Sequence, residues 1–370
     1  MATKFIETPD ATQSTEFWAS VTGTVVYDNS VVLSSGLASW KAGDVVGVAD
    51  YLRNNIGLAA AGNRYTNRWK FANLPTATAS FVSMRNSAAT GCYDLRITSG
   101  GVLQLWESGL VTQLGSNGST ISAGTEYRIS LAHVLTNTTT YDIRVFVNGV
   151  LDITVTNGAA LPSAVPQTNM VGWYTASGVS KFVNFGHTYL DNGTTLDDVG
   201  DIRITSKLPA AVNNNNFDTT IGSGAVNERP ISETNGMQQA GSTQVDQDYT
   251  LQTASAGDVD LTGVTLVART AWIWAKRGSG TTGSPSLIDN GGVSAITLNT
   301  TSALFRLVTD SASYPSNIAG IGLRSGGNTA DAFLYDGGTL IAYKLASGGG
   351  ILYGSGALVD GPLYMGRLTA

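Results

Sequence analysis

The sequence predicts an all-β chain: two antiparallel β-sandwich, jelly-roll-like domains with extended terminal arms. Three observations predict it. Apolar and polar residues alternate at period two in many short runs. Turn residues punctuate those runs about every 8 to 12 residues, the spacing of a sandwich or barrel. No long window carries convincing helical periodicity, and the best candidate, residues 49–61, is broken by Asn54, Asn55 and Gly57.

The clearest element is a hairpin. Tyr141, Ile143, Val145 and Val147 alternate with Asp142, Arg144 and Phe146. Asn148-Gly149 then supplies two residues that tolerate positive φ, as a type I′ turn requires. Leu151, Ile153 and Val155 form the return strand. Tyr93, Leu95 and Ile97 lead through Ser99-Gly100-Gly101 into Leu103 and Leu105, and Tyr127, Ile129 and Leu131 form a further strand.

At 370 residues the chain exceeds the usual size of one core. The pattern divides it into an N-terminal arm (1–14), a first sandwich (15–205), a linker or wrapping loop (206–245), a second sandwich (246–346) and a C-terminal tail (347–370). The linker is poor in large apolar residues and includes Asn213 to Asn216. In the tail, Ile351-Leu352-Tyr353 and Leu363-Tyr364-Met365 are apolar enough to need a home in the second sandwich or in a neighbouring protein.

Charged residues are 13% of the chain, about half the usual globular share, and 44 glycines with many Ser, Thr and Asn take their place. The net charge of -6 and the absence of Lys/Arg runs argue against a nucleic-acid partner. Cys92 stands alone, so there is no intrachain disulfide framework, and a small buried hydrophobe is its ordinary role. Met1 to Asp10 lacks an apolar core and carries Glu7 and Asp10, which predicts no signal peptide and synthesis in a cytoplasm. No apolar run approaches the length of a membrane span.

Catalytic constellations are missing from the pattern. Glycoside hydrolysis on such a fold needs paired carboxylates, and no Glu-x-Asp-x-Glu cluster occurs. Asp197, Asp198 and Asp201, and separately Asp258 and Asp260, are the nearest acidic sets. Turn residues bonding their own backbone are one reading of them; for Asp197, Asp198 and Asp201 an oxygen-ligand Ca²⁺ site is the other. His133 and His187 both lie in strand-like runs without a nucleophile elbow, and with one cysteine they make no zinc site. These readings lead to the expectation of a non-enzyme with no obligate cofactor. Among the seven tryptophans, Trp106 is out of step with Leu103 and Leu105, which marks it as the candidate ligand or partner contact.

Two resemblances add to this. Tyr93-Asp-Leu-Arg-Ile-Thr-Ser99, Gly124-Thr-Glu-Tyr-Arg-Ile129 and Tyr141-Asp-Ile-Arg-Val-Phe-Val-Asn-Gly-Val150 resemble laminin-G-like members of the concanavalin A-like jelly-roll superfamily. Lys4 to Gln13 with Phe17-Trp18, Leu196 to Pro209, Asp248-Tyr-Thr-Leu251 and Trp274-Ala-Lys-Arg-Gly278 resemble tailed-bacteriophage virion proteins. The second resemblance implies a virion structural protein, a capsid decoration, head-fibre or tail-associated component. Such a protein would be assembled in the bacterial host cytoplasm, self-associate as a homo-oligomer and bind other virion proteins. The other reading is a carbohydrate-binding, host-adhesion module with a glycan as partner. Neither reading involves nucleic acid or a membrane.

Overall fold

A computed structural model describes residues 3–9, 17–33, 38–43, 49–54, 61–86, 91–108, 112–137, 140–159, 168–173, 182–207, 209–215, 237–239, 244–251, 264–277, 285–289, 292–298, 303–309, 321–325 and 332–345. The described residues are almost entirely β-strand, and the chain divides into two units. The first comprises residues 1–204 with Ala342–Lys344, and the second residues 205–341 and 345–370.

The strands of the first unit are β1 (Thr3–Glu7), β2 (Ser20–Thr22), β3 (Val25–Asp28), β4 (Ser39–Ala42) and β5 (Asp50–Arg53). Longer ones follow: β6 (Gly62–Phe71), β7 (Ala79–Arg85), β8 (Gly91–Ile97), β9 (Leu103–Glu107) and β10 (Gln113–Leu114). The last are β11 (Glu126–Leu135), β12 (Thr140–Val147), β13 (Val150–Ala159), β14 (Thr168–Trp173) and β15 (Val183–Asp191). An eight-stranded sheet runs β13-β12-β11-β6-β15-β4-β3, with β1 paired to β15. A seven-stranded sheet runs β10-β9-β8-β7-β14-β5-β2. Every pairing within both sheets is antiparallel.

Aromatic side chains from the two sheets meet between them, which makes the unit a sandwich. Trp69 and Phe71 on β6 pack against Phe81 on β7, with ring centroids 4.9 and 5.3 Å away and planes near perpendicular. Phe185 and Trp173 extend the cluster. Edge-to-face contacts of this kind add to the large area that each ring removes from water. The hairpin turn at Asn148-Gly149 takes the positive φ values (52° and 87°) that its dipeptide predicts.

The eight-stranded sheet is buried on its outer face too. Arg64, Arg68 and Arg128 point away from the aromatic core and are covered by residues 191–201. Arg64 pairs with Asp191 at 2.7 Å. Arg68 pairs with Glu126 at 2.7 Å and with Asp201. Arg128 makes a two-pronged contact with Asp198, at 2.8 and 2.7 Å, and donates to the Gly200 carbonyl at 2.8 Å. Between them, Ser130 donates to the Thr66 hydroxyl at 2.9 Å.

Two expectations change at this point. Residues 1–14 do not form an arm throughout, because Thr3–Glu7 is a sheet strand. Phe5 stacks at 5.0 Å on Trp18, and the Glu7 carboxylate accepts the Trp40 indole N–H at 2.8 Å. Five residues are too short for alternation to stand out. The segment 206–245 likewise contains strands, β17 (Pro209–Asn215) and β18 (Met237–Gln239). A ladder needs backbone groups rather than apolar side chains, so an Asn-rich stretch can pair as it does here.

In the second unit β17 pairs β19 (Asp246–Leu251), within the order β17-β19-β24-β21-β22. There β21 is Ser286–Asp289, β22 Gly292–Ala295 and β24 Ile321–Arg324. In another sheet β25 (Ala332–Leu345), β20 (Val264–Arg277) and β23 (Ala303–Thr309) are neighbours, with β18 paired to β25; β16 (Ile202–Lys207) precedes them in the chain. Ala271, Ile273, Ala275, Leu287, Ile321, Leu323 and Leu334 form the shared core of the unit. The expected tail, 347–370, lies outside the described residues, as do Asp258 and Asp260. No helix among the described residues is long and apolar enough to cross a membrane.

The Arg128–Asp198 pair is the cleanest point at which to test the covered face. Burial by itself raises the Asp198 carboxyl, but the Arg128 guanidinium outweighs it and holds the group below its ordinary 3.8. A depressed carboxyl stabilises the fold above its unfolded value and loses that contribution as pH falls through its folded one. Asp198→Asn is expected to cost on the order of 3 kcal/mol in urea unfolding at pH 7, and much less once the pH has fallen through the carboxyl's folded value, where the wild type has lost the same interaction.

Candidate functional site

The seven-stranded sheet turns Leu52, Leu95, Ile97, Leu103 and Leu105 to the core. Its opposite face therefore carries the residues alternating with them, among them Gln104, Asp94, Arg96 and Ser83. In-register neighbours on antiparallel strands share a face. The pairs Gln113–Trp106, Trp106–Asp94, Asp94–Ser83, Ser83–Met170, Met170–Arg53 and Arg53–Ser20 join end to end into one row across all seven strands. Six inter-strand spacings of about 4.8 Å make that row about 29 Å long.

Hydrogen bonds tie much of the row together. Arg85 Nε donates to Ser83 Oγ at 3.2 Å, and Ser83 Oγ donates to Asp94 Oδ1 at 2.7 Å. Arg96 approaches the other Asp94 oxygen at 3.5 Å and lies over the Trp106 ring, 4.8 Å from its centroid. Trp106 Nε1 donates to Gln104 Oε1 at 3.0 Å. Gln104 and Gln113 both donate to Asn117 Oδ1, at 2.8 and 2.9 Å. Ser83 and Asp94 are buried, whereas Trp106, Arg96 and Arg53 are partly exposed. The arrangement offers donors, acceptors and one aromatic ring along a continuous strip, the inventory with which a protein meets a polyhydroxylated ligand.

Trp106 thus stands on the face opposite Leu103 and Leu105. The residues around it, Arg85, Asp94, Arg96 and Gln104, escaped the sequence reading. Their signal was present: Asp94 and Arg96 alternate with Tyr93, Leu95 and Ile97, but alternation says nothing of which strands will lie side by side.

The acidic set is arranged differently. Asp198 and Asp201 face arginines, and Asp197 is exposed. Among the described residues no group of three His, Cys, Asp or Glu side chains is placed to hold a metal ion. Cys92 is buried.

Both histidines are buried and neutral. His133 is sandwiched between Tyr93 and Tyr141, with ring centroids 5.6 Å away on either side and near-parallel planes. Neither of its ring nitrogens has a hydrogen-bond partner, and burial drives its pKa down to about 4. His187 sits at a bulge in β15 with a φ of 56°. Its Nδ1 accepts the Ile204 N–H at 3.1 Å, which leaves Nε2 to donate to the Leu33 carbonyl at 3.0 Å. Burial first, and the nearby Arg68 charge after it, lower its pKa to about 4.

No protein-family model matches the chain, and no curated protein matches its sequence. Solved structures do show likeness of fold over about half of it. An endo-β-1,4-glucuronan lyase from the fungus Trichoderma reesei is 15% identical, covering 53% of this chain and 98% of its own, with a TM-score of 0.41. The cellulose-induced protein Cip1 is 19% identical over 51% of this chain and 90% of its own, with a TM-score of 0.38. Domain 4 of AbnA, a GH43 extracellular arabinanase from Geobacillus stearothermophilus solved with arabinotriose, is 15% identical over 53% of this chain and 97% of its own, with a TM-score of 0.33. The expectation of a non-enzyme is not upheld: a lyase and a domain of an arabinanase are among the structures similar to this chain.

The histidines give a pH dependence with a definite sign. Unfolded, each takes up a proton near pH 6.5; folded, each stays neutral down to about 4. The unfolded chain binds more protons between those values, so stability falls as pH drops through that window, by about 1.4 kcal/mol per pH unit for each histidine. Denaturant titrations at pH 7, 5.5 and 4.5 are expected to show this loss, and His133→Phe to remove part of its slope.

Proposed function

We propose that the outward face of the seven-stranded sheet is a carbohydrate-recognition surface, and that the chain serves as a glycan-binding, host-adhesion module of a virion or cell surface. The observation that carries this is the cross-strand row from Gln113 through Trp106, Asp94 and Ser83 to Arg53. Sugars present hydroxyl groups around a ring with apolar C–H faces, so their recognition needs hydrogen-bonding side chains next to an aromatic one. Trp106 with Gln104, and Asp94 with Ser83, supply both kinds of contact within neighbouring strands. The side chains are held by one another before any ligand arrives, which lowers the ordering cost of binding.

A glycan array with the intact 370-residue chain, followed by calorimetry on the glycans retained, tests this. Trp106→Ala is expected to weaken binding by about 2 kcal/mol, roughly 30-fold, with an unchanged melting temperature. Binding undiminished in that variant would place the site elsewhere. New reducing ends or unsaturated products from a bound polysaccharide would make the same surface an active site.

A second reading, assembly with virion neighbours or between copies, has one observation in its favour. At the end of the eight-stranded sheet, β13 exposes Val150 (70%) and Leu151 (48%). Exposed apolar residues on an end strand are a ready pairing surface. If that reading holds, light scattering finds an oligomer that Leu151→Lys dissociates; a monomeric wild type removes it.

A further inference from the structure

We infer that the ligand of this surface is an acidic glycan, one whose sugars carry carboxylates, rather than a neutral one. The inference rests on the carbohydrate-recognition reading and narrows it. Its basis is the charge of the strip. Arg53, Arg85 and Arg96 lie on it beside the Asp94 carboxylate, although the chain as a whole carries a net charge of -6.

The three arginines are not equivalent. On the eight-stranded sheet Arg64, Arg68 and Arg128 each have a carboxylate at 2.7 to 2.8 Å or closer. On the strip Arg96 approaches Asp94 at the longer distance of 3.5 Å, and that carboxylate already accepts from Ser83 at 2.7 Å. Arg96 Nε is buried without a hydrogen-bond partner. Among the described residues no carboxylate pairs with the Arg53 guanidinium, and its Nε is also buried without a hydrogen-bond partner.

Trp106 points the same way. A bare indole face would serve a neutral pyranose, but here Arg96 lies over the ring at 4.8 Å. A sugar arriving at Trp106 therefore meets a cation backed by an aromatic face. That backing shields the guanidinium from water on one side and strengthens its hydrogen bonds to an anion. The fork of a guanidinium fits a carboxylate two-pronged, and Arg53 and Arg96 lie at different places along the row, so a polymer can engage both.

The test is an array of neutral, carboxylated and sulfated glycans probed with the intact chain, then calorimetry on a bound oligouronide and its methyl ester. Retention confined to carboxylated glycans is expected, with affinity at least about ten-fold lower for the ester and for Arg53→Gln or Arg96→Gln, and falling as salt rises. Equal affinity for acid and ester, or retention of neutral or sulfated glycans alone, overturns the acidic-sugar inference and leaves the recognition surface standing. Retention of no glycan overturns the recognition reading itself and this inference with it. Far-ultraviolet circular dichroism of the variants separates lost binding from lost fold.

Discussion

The first unit depends on a sheet that is buried on both faces while its sequence alternates. β6 turns Tyr65, Asn67, Trp69 and Phe71 to one side and Arg64, Thr66 and Arg68 to the other, and both sets are buried. Aromatic packing satisfies the inner set. The outer set consists of guanidinium groups, which are expensive to take out of water unless paired. Asp191 at the end of β15 and Asp198 and Asp201 in the segment after it supply the partners, together with Glu126 from the neighbouring strand. Asp198 and Asp201, which together with Asp197 invite a calcium reading in the sequence, belong to the carboxylate half of a layer that covers the sheet.

The opposite sheet solves the same alternation in another way. Its inner residues enter the shared core, while its outer face keeps a partly exposed, mutually bonded strip of Trp106, Arg96, Asp94, Ser83 and Arg85. The two outer faces differ in their ion pairs: Arg64, Arg68 and Arg128 have carboxylates at 2.7 to 2.8 Å or closer, whereas Arg96 approaches Asp94 at 3.5 Å.

The two buried histidines belong to the scaffold in different senses. His133 is a ring in a stack, held by Tyr93 and Tyr141 with its nitrogens unbonded, and burial keeps it neutral. His187 is a hydrogen-bonding bracket: at its bulge it links the Leu33 carbonyl to the Ile204 amide, and protonation would end its acceptance of that amide. Their strand-like sequence settings were the same, and what separates them is the bulge, which turns His187 out of the register of its strand.

Period-two patterning by itself determined the class of this protein, the Asn148-Gly149 hairpin and the side of β9 on which Trp106 lies, because side-chain direction in a strand is fixed locally. Tertiary structure decided the rest. Whether Thr3–Glu7 is an arm or a strand, and whether an Asn-rich stretch such as Pro209–Asn215 pairs, depends on an open edge elsewhere in the chain. Likewise the strip joining Gln113 to Arg53 passes through Met170, far from both in sequence, and arises from strand order and register, which are long-range choices that no local spacing encodes.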